Sequence, residues 1–344
     1  MELHELDVVV TRGNAVESHH RVHAAVVDAC DRLAGSAGNP DLNTWWRSCA
    51  KPFQVIPFVE SGGFDALNWG DEELALACAS HGGEPEHVAI VEKMLADLGL
   101  EEGDLACGPT EPLSPRGAKI VRDSGIRIKR THNNCSGKHS AMLALAQRQG
   151  WPLNGYERAE HQVQQAMLNQ VALWTGALPS QLGVAVDGCG VAVFALSLER
   201  MARAYARLGA AAERGEEIPS RIDKAMGRNP FLVGGTDRFD SVVIEETNGR
   251  VITKVGAEGV HSAVILDSSI GVALKVEDGA ARAQYPAMIM LLMDLGALPD
   301  PLPPRLGEFL TRPVKNSRGE VVGETTIRAT DLKRARSAAE AAAI

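Results

Sequence analysis

The chain reads as an α+β protein: one antiparallel sheet assembled from both chain ends, flanked by helices, with a helical middle inserted between them. Three observations predict this. Alternating β-runs open the chain at residues 7–11 and 22–28. Apolar residues at helical spacing fill the middle, as in Val88, Val91, Leu95 and Leu98. From residue 242 to 276 the pattern returns to short β-runs, with the strong hairpin signal Asn248-Gly249 between two of them.

In chain order, residues 7–11 alternate as a strand and Arg12-Gly13-Asn14 reads as a turn, which predicts a hairpin with 22–28. The polar run Glu17-Ser18-His19-His20-Arg21-Val22-His23 has no cysteine near it and reads as solvated surface. After Gly38-Asn39-Pro40, the residues Phe53, Ile56, Pro57 and Val59 predict a short buried helix ending at Gly62-Gly63. A second buried helical run at 74–79 delivers Ser80-His81-Gly82-Gly83 to a loop, and 86–98 is a helix. With three prolines and two glycines, 107–117 reads as loop. A short edge strand at 126–128 leads into Thr131-His132-Asn133-Asn134-Cys135-Ser136-Gly137-Lys138-His139, which opens a helix running to Arg148. Helices are predicted over 159–175 and 195–208, and between them the β-run 182–186 ends in the tight turn Asp187-Gly188-Cys189-Gly190. Strands at 242–247, 250–255, 263–266 and 271–276 form a meander, a helix covers 280–295, and a proline-rich remainder follows. One domain over 1–330, with room for two packed sub-regions, and a frayed or disordered tail at 331–344 complete the expectation.

Composition bounds the partners. The 344 residues are 45% hydrophobic and 23% charged with a net charge of −9, as in soluble globular proteins. There is no basic patch, so neither nucleic acid nor an anionic membrane is an expected partner. No apolar run is long enough to span a bilayer. The first seven residues carry Glu2, His4, Glu5 and Asp7 and lack the apolar core of a signal peptide, which points to a cytoplasmic address. Cys30, Cys49, Cys78, Cys107, Cys135 and Cys189 are scattered without tight pairs, unlike a disulfide framework; free thiols or a metal site fit better.

The stretch Arg47-Ser48-Cys49-Ala50-Lys51-Pro52 puts a serine three residues before a lysine at the start of a helix-like run, so the two side chains stack on one face. A serine needs a base to become a nucleophile, and a lysine serves as one when burial or a neighbouring cation lowers its pKa. A capping serine and a solvated lysine would produce the same spacing. Two further fragments follow: Ser80-His81-Gly82 in a loop and Lys254-Val255-Gly256 on a strand. Serine β-lactamases and penicillin-binding proteins use S-x-x-K, S-D-N and K-T-G in that order on those element types. Here His81-Gly82 stands for Asp-Asn, Val255 for a hydroxylated residue, and Ser80 follows Ser48 closely. Separately, Cys135, Lys138 and Cys189 set two thiols from different turns near one amine. Zinc accepts such donors, and two buried structural cysteines are the alternative. Arg47 suits a substrate carboxylate as a planar fork, or packs against Trp45 and Trp46. Asp187 suits a turn or a substrate amine.

Together, Val10-Thr11-Arg12-Gly13, Glu17-Ser18-His19-His20, Arg47-Ser48-Cys49-Ala50-Lys51-Pro52, Cys78-Ala79-Ser80-His81, Asn133-Asn134-Cys135-Ser136-Gly137-Lys138-His139, Asp187-Gly188-Cys189-Gly190 and Lys254-Val255-Gly256-Ala257-Glu258-Gly259 resemble the rhizobial-type L-asparaginases, also called thermolabile asparaginase II or class 3, over nearly the whole chain. The resemblance implies a serine β-lactamase and glutaminase-like fold, a homodimer, and hydrolysis of L-asparagine to L-aspartate and ammonia. It further implies two serine–lysine pairs, Ser48 with Lys51 and Ser80 with Lys254; zinc held by Cys135, Lys138 and Cys189; and Arg47, His139 and Asp187 close to the substrate. Rhizobial members carry a cysteine beside the position of Asp240, whereas this chain has Arg238-Phe239-Asp240-Ser241, and its 190–240 region is shorter. A penicillin-recognising serine hydrolase and a zinc-stabilised binding protein without catalysis are the competing readings.

Overall fold

The computed structural model describes residues 5–328; the tail expected at 331–344 lies outside the described residues. Strands run in chain order as β1 (Val8–Arg12), β2 (Ala15–His20), β3 (Val22–Val27), β4 (Leu33–Ala37), β5 (Asn43–Trp45), β6 (Gly183–Val186), β7 (Ala192–Ser197), β8 (Val251–Val255), β9 (Val260–Ile265), β10 (Ile270–Val276), β11 (Arg312–Lys315) and β12 (Val321–Ile327). The main sheet has the order β4-β3-β10-β9-β8 and is antiparallel throughout, built from both chain ends as expected. A second sheet, β11-β12-β1-β2, also joins the two ends, and β5-β7-β6 is a third within the helical middle.

The inner strands of the main sheet are buried on both faces, and they enclose the polar residues Thr253, Lys254, His261 and Ser262, while β4 at the edge is partly exposed. Side chains alternate across β3: Ala25 and Val27 face the larger core with the middle helices, while Ala24 and Val26 face the core that holds the helix Ala281–Asp294. The helix Leu198–Glu213 lies so close on β10 that a Cβ at Gly271 would sit 2.0 Å from the Ala202 carbonyl oxygen. Among the described residues no helix is long and apolar enough to cross a membrane.

Several elements differ from the sequence expectation. The opening hairpin pairs β1 with β2, and the expected partner at 22–28 is β3 of the main sheet. β2 is largely exposed and polar, so hydrophobic alternation did not mark it. Residues 126–128 form no strand. Pro115 starts the helix Pro115–Ser124 inside the expected loop, capped by Ser114 Oγ accepting from the Gly117 N–H at 2.8 Å. Residues 195–197 belong to β7, ahead of the helix at 198. The first meander strand at 242–247 is instead the helix Phe239–Glu246. Asn248 and Gly249 both have positive φ, and the Gly249 N–H bonds the Ile244 carbonyl, closing the helix. A left-handed Asn-Gly pair serves a helix end as well as a hairpin. The proline-rich remainder holds the helix Pro304–Leu310 and strands β11 and β12.

One buried carboxyl outside these features carries a prediction. Asp223, on the helix Glu217–Arg228, is 6% exposed, its two carboxyl oxygens have no hydrogen-bond partner among the described residues, and burial pushes its pKa up from 3.8 to about 8. The unfolded chain ionises first, so the stability this group allows is present below its ordinary pKa and is lost as pH rises towards 8. Asp223→Asn is expected to gain on the order of 2–4 kcal/mol over wild type between pH 5 and pH 8, read from urea unfolding at the two values. A difference that does not change with pH contradicts this.

Candidate active site

The helix Asp71–Cys78 stops at Ala79, whose extended backbone turns Ser80 into a loop. That loop is held on both sides, since the Ser80 N–H donates to Val233 O at 3.2 Å and Arg238 Nη1 donates to Ser80 O at 2.7 Å. Two lysines from opposite parts of the chain converge on the Ser80 hydroxyl. Lys51, first residue of the short helix Lys51–Gln54, is 1% exposed with Nζ 3.0 Å from Ser80 Oγ. Lys254, on β8, is fully buried with Nζ 2.9 Å from the same oxygen.

The other partners of the two lysines differ. Lys51 Nζ donates to two main-chain carbonyls, of Ala79 and, at 3.3 Å, of Asn134. In its neutral form the amine would spend both N–H groups on these carbonyls and turn its lone pair to Ser80. Burial, and the nearby Lys138 charge, push the Lys51 pKa down. Lys254 Nζ donates to Val255 O at 2.9 Å and lies 3.8 Å from Asp240 Oδ2. Burial lowers its pKa to about 8, against the opposing pull of Asp240. Two buried lysine nitrogens, each with its pKa lowered first by burial, therefore flank one hydroxyl.

Ser48 lies on the 3-10 turn Arg47–Ala50, half-buried, with no hydrogen bond to its hydroxyl among the described residues. Residues three apart on such a turn eclipse one another, so Ser48 and Lys51 share a side, but the Lys51 nitrogen bonds Ser80. Arg47 has φ +53°, in the left-handed region that a long side chain rarely adopts. Its Nε donates to Asp187 Oδ1 at 2.7 Å. Asp187 sits in the β6–β7 turn, and although burial opposes it, Lys138 and Arg47 keep its pKa below the ordinary carboxylate value.

The same turn brings Cys189 to the helix Ser136–Gln149, where Lys138 Nζ is 3.3 Å from Cys189 Sγ and Cys135 immediately precedes the helix. The neighbouring Cys135 thiol and then Lys138 lower the Cys189 pKa to about 5. Cys135, Lys138 and Cys189 act electrostatically on Lys51, so the serine–lysine and cysteine groups are neighbours. The helix approaches closely because residue 137 is glycine: a Cβ there would lie 2.5 Å from Leu76 O. His139 is fully buried, with Nδ1 2.6 Å from Tyr156 Oη, while its Nε2 has no hydrogen-bond partner among the described residues. Burial and then Lys138 push its pKa down to about 3, so it is neutral.

The sequence model of the L-asparaginase II family matches residues 8–327, which include every residue of this cluster. The chain belongs to the L-asparaginase II family. It is accordingly a hydrolase of the L-asparaginase type. No curated protein matches the chain. Solved structures similar to it include Mglu in its native form, at 15% identity over 86% of this chain and 69% of that one with a TM-score of 0.44. Another is a suspected beta-lactamase from Bacteroides dorei DSM 17855, at 11% identity over 82% and 91% with a TM-score of 0.39. Neither likeness bears on the chemistry.

In this L-asparaginase II chain, several residues that shape the site carried no sequence signal. Asn134 and Ala79 act through main-chain carbonyls. Arg238 holds Ser80 from across the fold. Glu84, fully buried, accepts from the Thr236 N–H at 2.8 Å, from Thr236 Oγ1 at 2.7 Å and from Arg116, tying the Ser80 loop to the loop before Arg238. In the sequence Asp240 stands out only as a departure from rhizobial members.

Proposed function

We propose that the chain hydrolyses the side-chain amide of L-asparagine to L-aspartate and ammonia through Ser48, Lys51, Ser80 and Lys254, beside a zinc site formed by Cys135, Lys138 and Cys189, as a cytoplasmic homodimer. The observation that carries this reading is the convergence of Lys51 and Lys254 on Ser80 Oγ at 3.0 and 2.9 Å. Ser48 is the acylated residue in this proposal, because it is half-exposed and unbonded beside the Arg47–Asp187 pair. Ser80, 3% exposed and bonded on both sides, relays protons. Lys51 takes a proton from the serine side, and Lys254 hydrogen-bonds the Ser80 oxygen and steadies the charge that develops there.

The residues present suit zinc through the chemistry of the donors. Among the described residues no group of three or more His, Cys, Asp and Glu could hold a metal, and the set becomes complete only with the Lys138 amine. Cys135, Cys189 and the Lys138 amine, 3.3 Å from Cys189 Sγ, are the groups that would hold the metal. When bound, zinc supplies a fixed positive charge that polarises and orients a substrate. Asp187, whose Oδ2 is 4.0 Å from Cys189 Sγ, lies where it can support that site.

Ammonia release should be measured with L-asparagine, L-glutamine and a chromogenic β-lactam, and release from asparagine is the expected result. Turnover of the β-lactam alone would favour a penicillin-recognising hydrolase, and no turnover of any of them a binding protein. Metal analysis of chelator-free protein is expected to find about one zinc per chain, lost in the Cys135→Ala, Cys189→Ala variant. Zinc-free wild type, or zinc retained by the variant, removes the metal from the reading. Light scattering in solution tests the homodimer.

A further inference from the structure

Asp240 is the second residue of the helix Phe239–Glu246, 2% exposed, and its carboxylate faces β8 and β9. Oδ1 accepts from Thr253 Oγ1 at 2.7 Å and from His261 Nε2 at 3.0 Å. Oδ2 accepts from the Val255 N–H at 2.9 Å and stands 3.8 Å from Lys254 Nζ. Burial alone would keep a proton on this carboxyl. The His261 hydrogen bond, the Lys254 charge and the Val255 N–H together hold its pKa well below the ordinary value, so it is ionised. An ionised carboxylate only accepts, which fixes His261 with its proton on Nε2. The His261 ring is set by aromatic neighbours, edge-on to Phe239 at 5.0 Å and to Tyr285 at 6.1 Å.

The groups that act on Lys254 do not all favour its charge. Burial disfavours the ammonium, as do Arg238 and, whenever it is protonated, Lys51; the Cys49 thiol is itself pushed up to about 12 and stays neutral. Among the described residues Asp240 is the carboxylate paired with Lys254, and Thr253, Val255 and His261 anchor it there.

We propose that Asp240, held by Thr253, Val255 and His261, is a positioning residue for amide hydrolysis: it keeps Lys254 an ammonium aimed at Ser80 Oγ, so that the two lysines act differently on one hydroxyl. The proposal rests on the asparaginase reading for its reaction. Lys254 gives its hydrogen bond to the oxygen and the Ser80 proton departs on the opposite side, so the relay has a direction. Asp240 touches neither the serine nor the substrate and acts through Lys254 alone.

The test titrates Lys254 by NMR of isotope-labelled lysine, assigned with Lys254→Arg, in wild type, Asp240→Asn and Asp240→Glu, and measures asparagine kinetics on the same proteins. In Asp240→Asn the Lys254 midpoint is expected to fall by about one unit or more. The alkaline limb of kcat should move to lower pH with it, and kcat should drop about tenfold or more while KM changes by less than about twofold. Asp240→Glu keeps the charge and is expected to restore the midpoint and part of kcat. An unmoved Lys254 midpoint in Asp240→Asn overturns the proposal, as does a parallel loss of kcat in the Glu variant with no recovery. If Asp240→Asn does not fold, Asp240→Ser, smaller and also neutral, is read in the same way. If wild type hydrolyses no amide, the asparaginase mechanism fails, and the NMR midpoint still decides whether Asp240 governs Lys254.

Discussion

Lys51→Met is expected to lower asparagine turnover by about three orders of magnitude or more without unfolding the protein. Methionine keeps the apolar stem buried and removes only the nitrogen, leaving the carbonyls of Ala79 and Asn134 and the Ser80 hydroxyl without that partner. Unpaired carbonyls are tolerated better than unpaired donors, so the loss falls on catalysis. Ser80→Ala and Ser48→Ala are each expected to produce a loss of similar size. Pairing Lys51→Met with either should cost little beyond the single change, because groups acting as one unit are not additive. The serines are separated by peptide mapping of acid-quenched enzyme during turnover. An aspartyl ester is expected on the Ser48 peptide in wild type and in Lys254→Met, and on no peptide in Ser48→Ala. Near wild-type turnover in Ser48→Ala, or an ester on Ser80, would reverse the roles given to the two hydroxyls.

The architecture was legible where burial imposes a period. The main sheet and most middle helices could be read because Val22–Val27, Val88 to Leu98 and Val163 to Trp174 carry apolar residues at strand or helix spacing. Legibility failed where periodicity is weak or shared. β2 is polar and held by main-chain pairing, and Val242-Val243-Ile244 is a short apolar run that suits a strand or a buried helix equally. In the site, the candidate side chains were visible as types at suggestive spacings: Ser48, Lys51, Ser80, Lys254, Cys135, Lys138 and Cys189. What the spacing could not give was the partner of each. The expected pairing of Lys51 with Ser48 rested on three residues of helix geometry, while the nitrogen bonds a serine 29 positions away. Contacts supplied by carbonyls, such as that of Asn134, leave no compositional trace at all. Asp240 could not be valued from sequence because its meaning lies in four partners drawn from two strands.

Discrimination between asparagine and glutamine is expected to show chiefly in turnover, with glutamine slower by about a hundredfold. The substrate is a zwitterion, and burying either α-charge without a partner costs several kcal/mol, on the order of the values for unpaired buried ions. Arg47 and Asp187 already form a complementary pair at 2.7 Å, with the guanidinium engaged through Nε and its terminal nitrogens free of hydrogen bonds among the described residues. An α-carboxylate can extend the pair on the arginine side and an α-ammonium on the aspartate side. The positive φ of Arg47 places this fork one residue before Ser48 at the expense of backbone strain, so the charge anchor and the proposed nucleophile are fixed relative to each other. With both α-groups anchored, one additional methylene carries the amide carbon beyond attack distance from Ser48, which reduces kcat more than binding. Asp187→Ala should raise the asparagine KM by about tenfold or more and also lower kcat, because it frees Arg47 and removes the negative charge beside Lys138 and Cys189. Steady-state kinetics on both amides decide the matter: equal kcat for asparagine and glutamine, or an Asp187→Ala enzyme with unchanged constants, would mean that the zwitterion is anchored elsewhere.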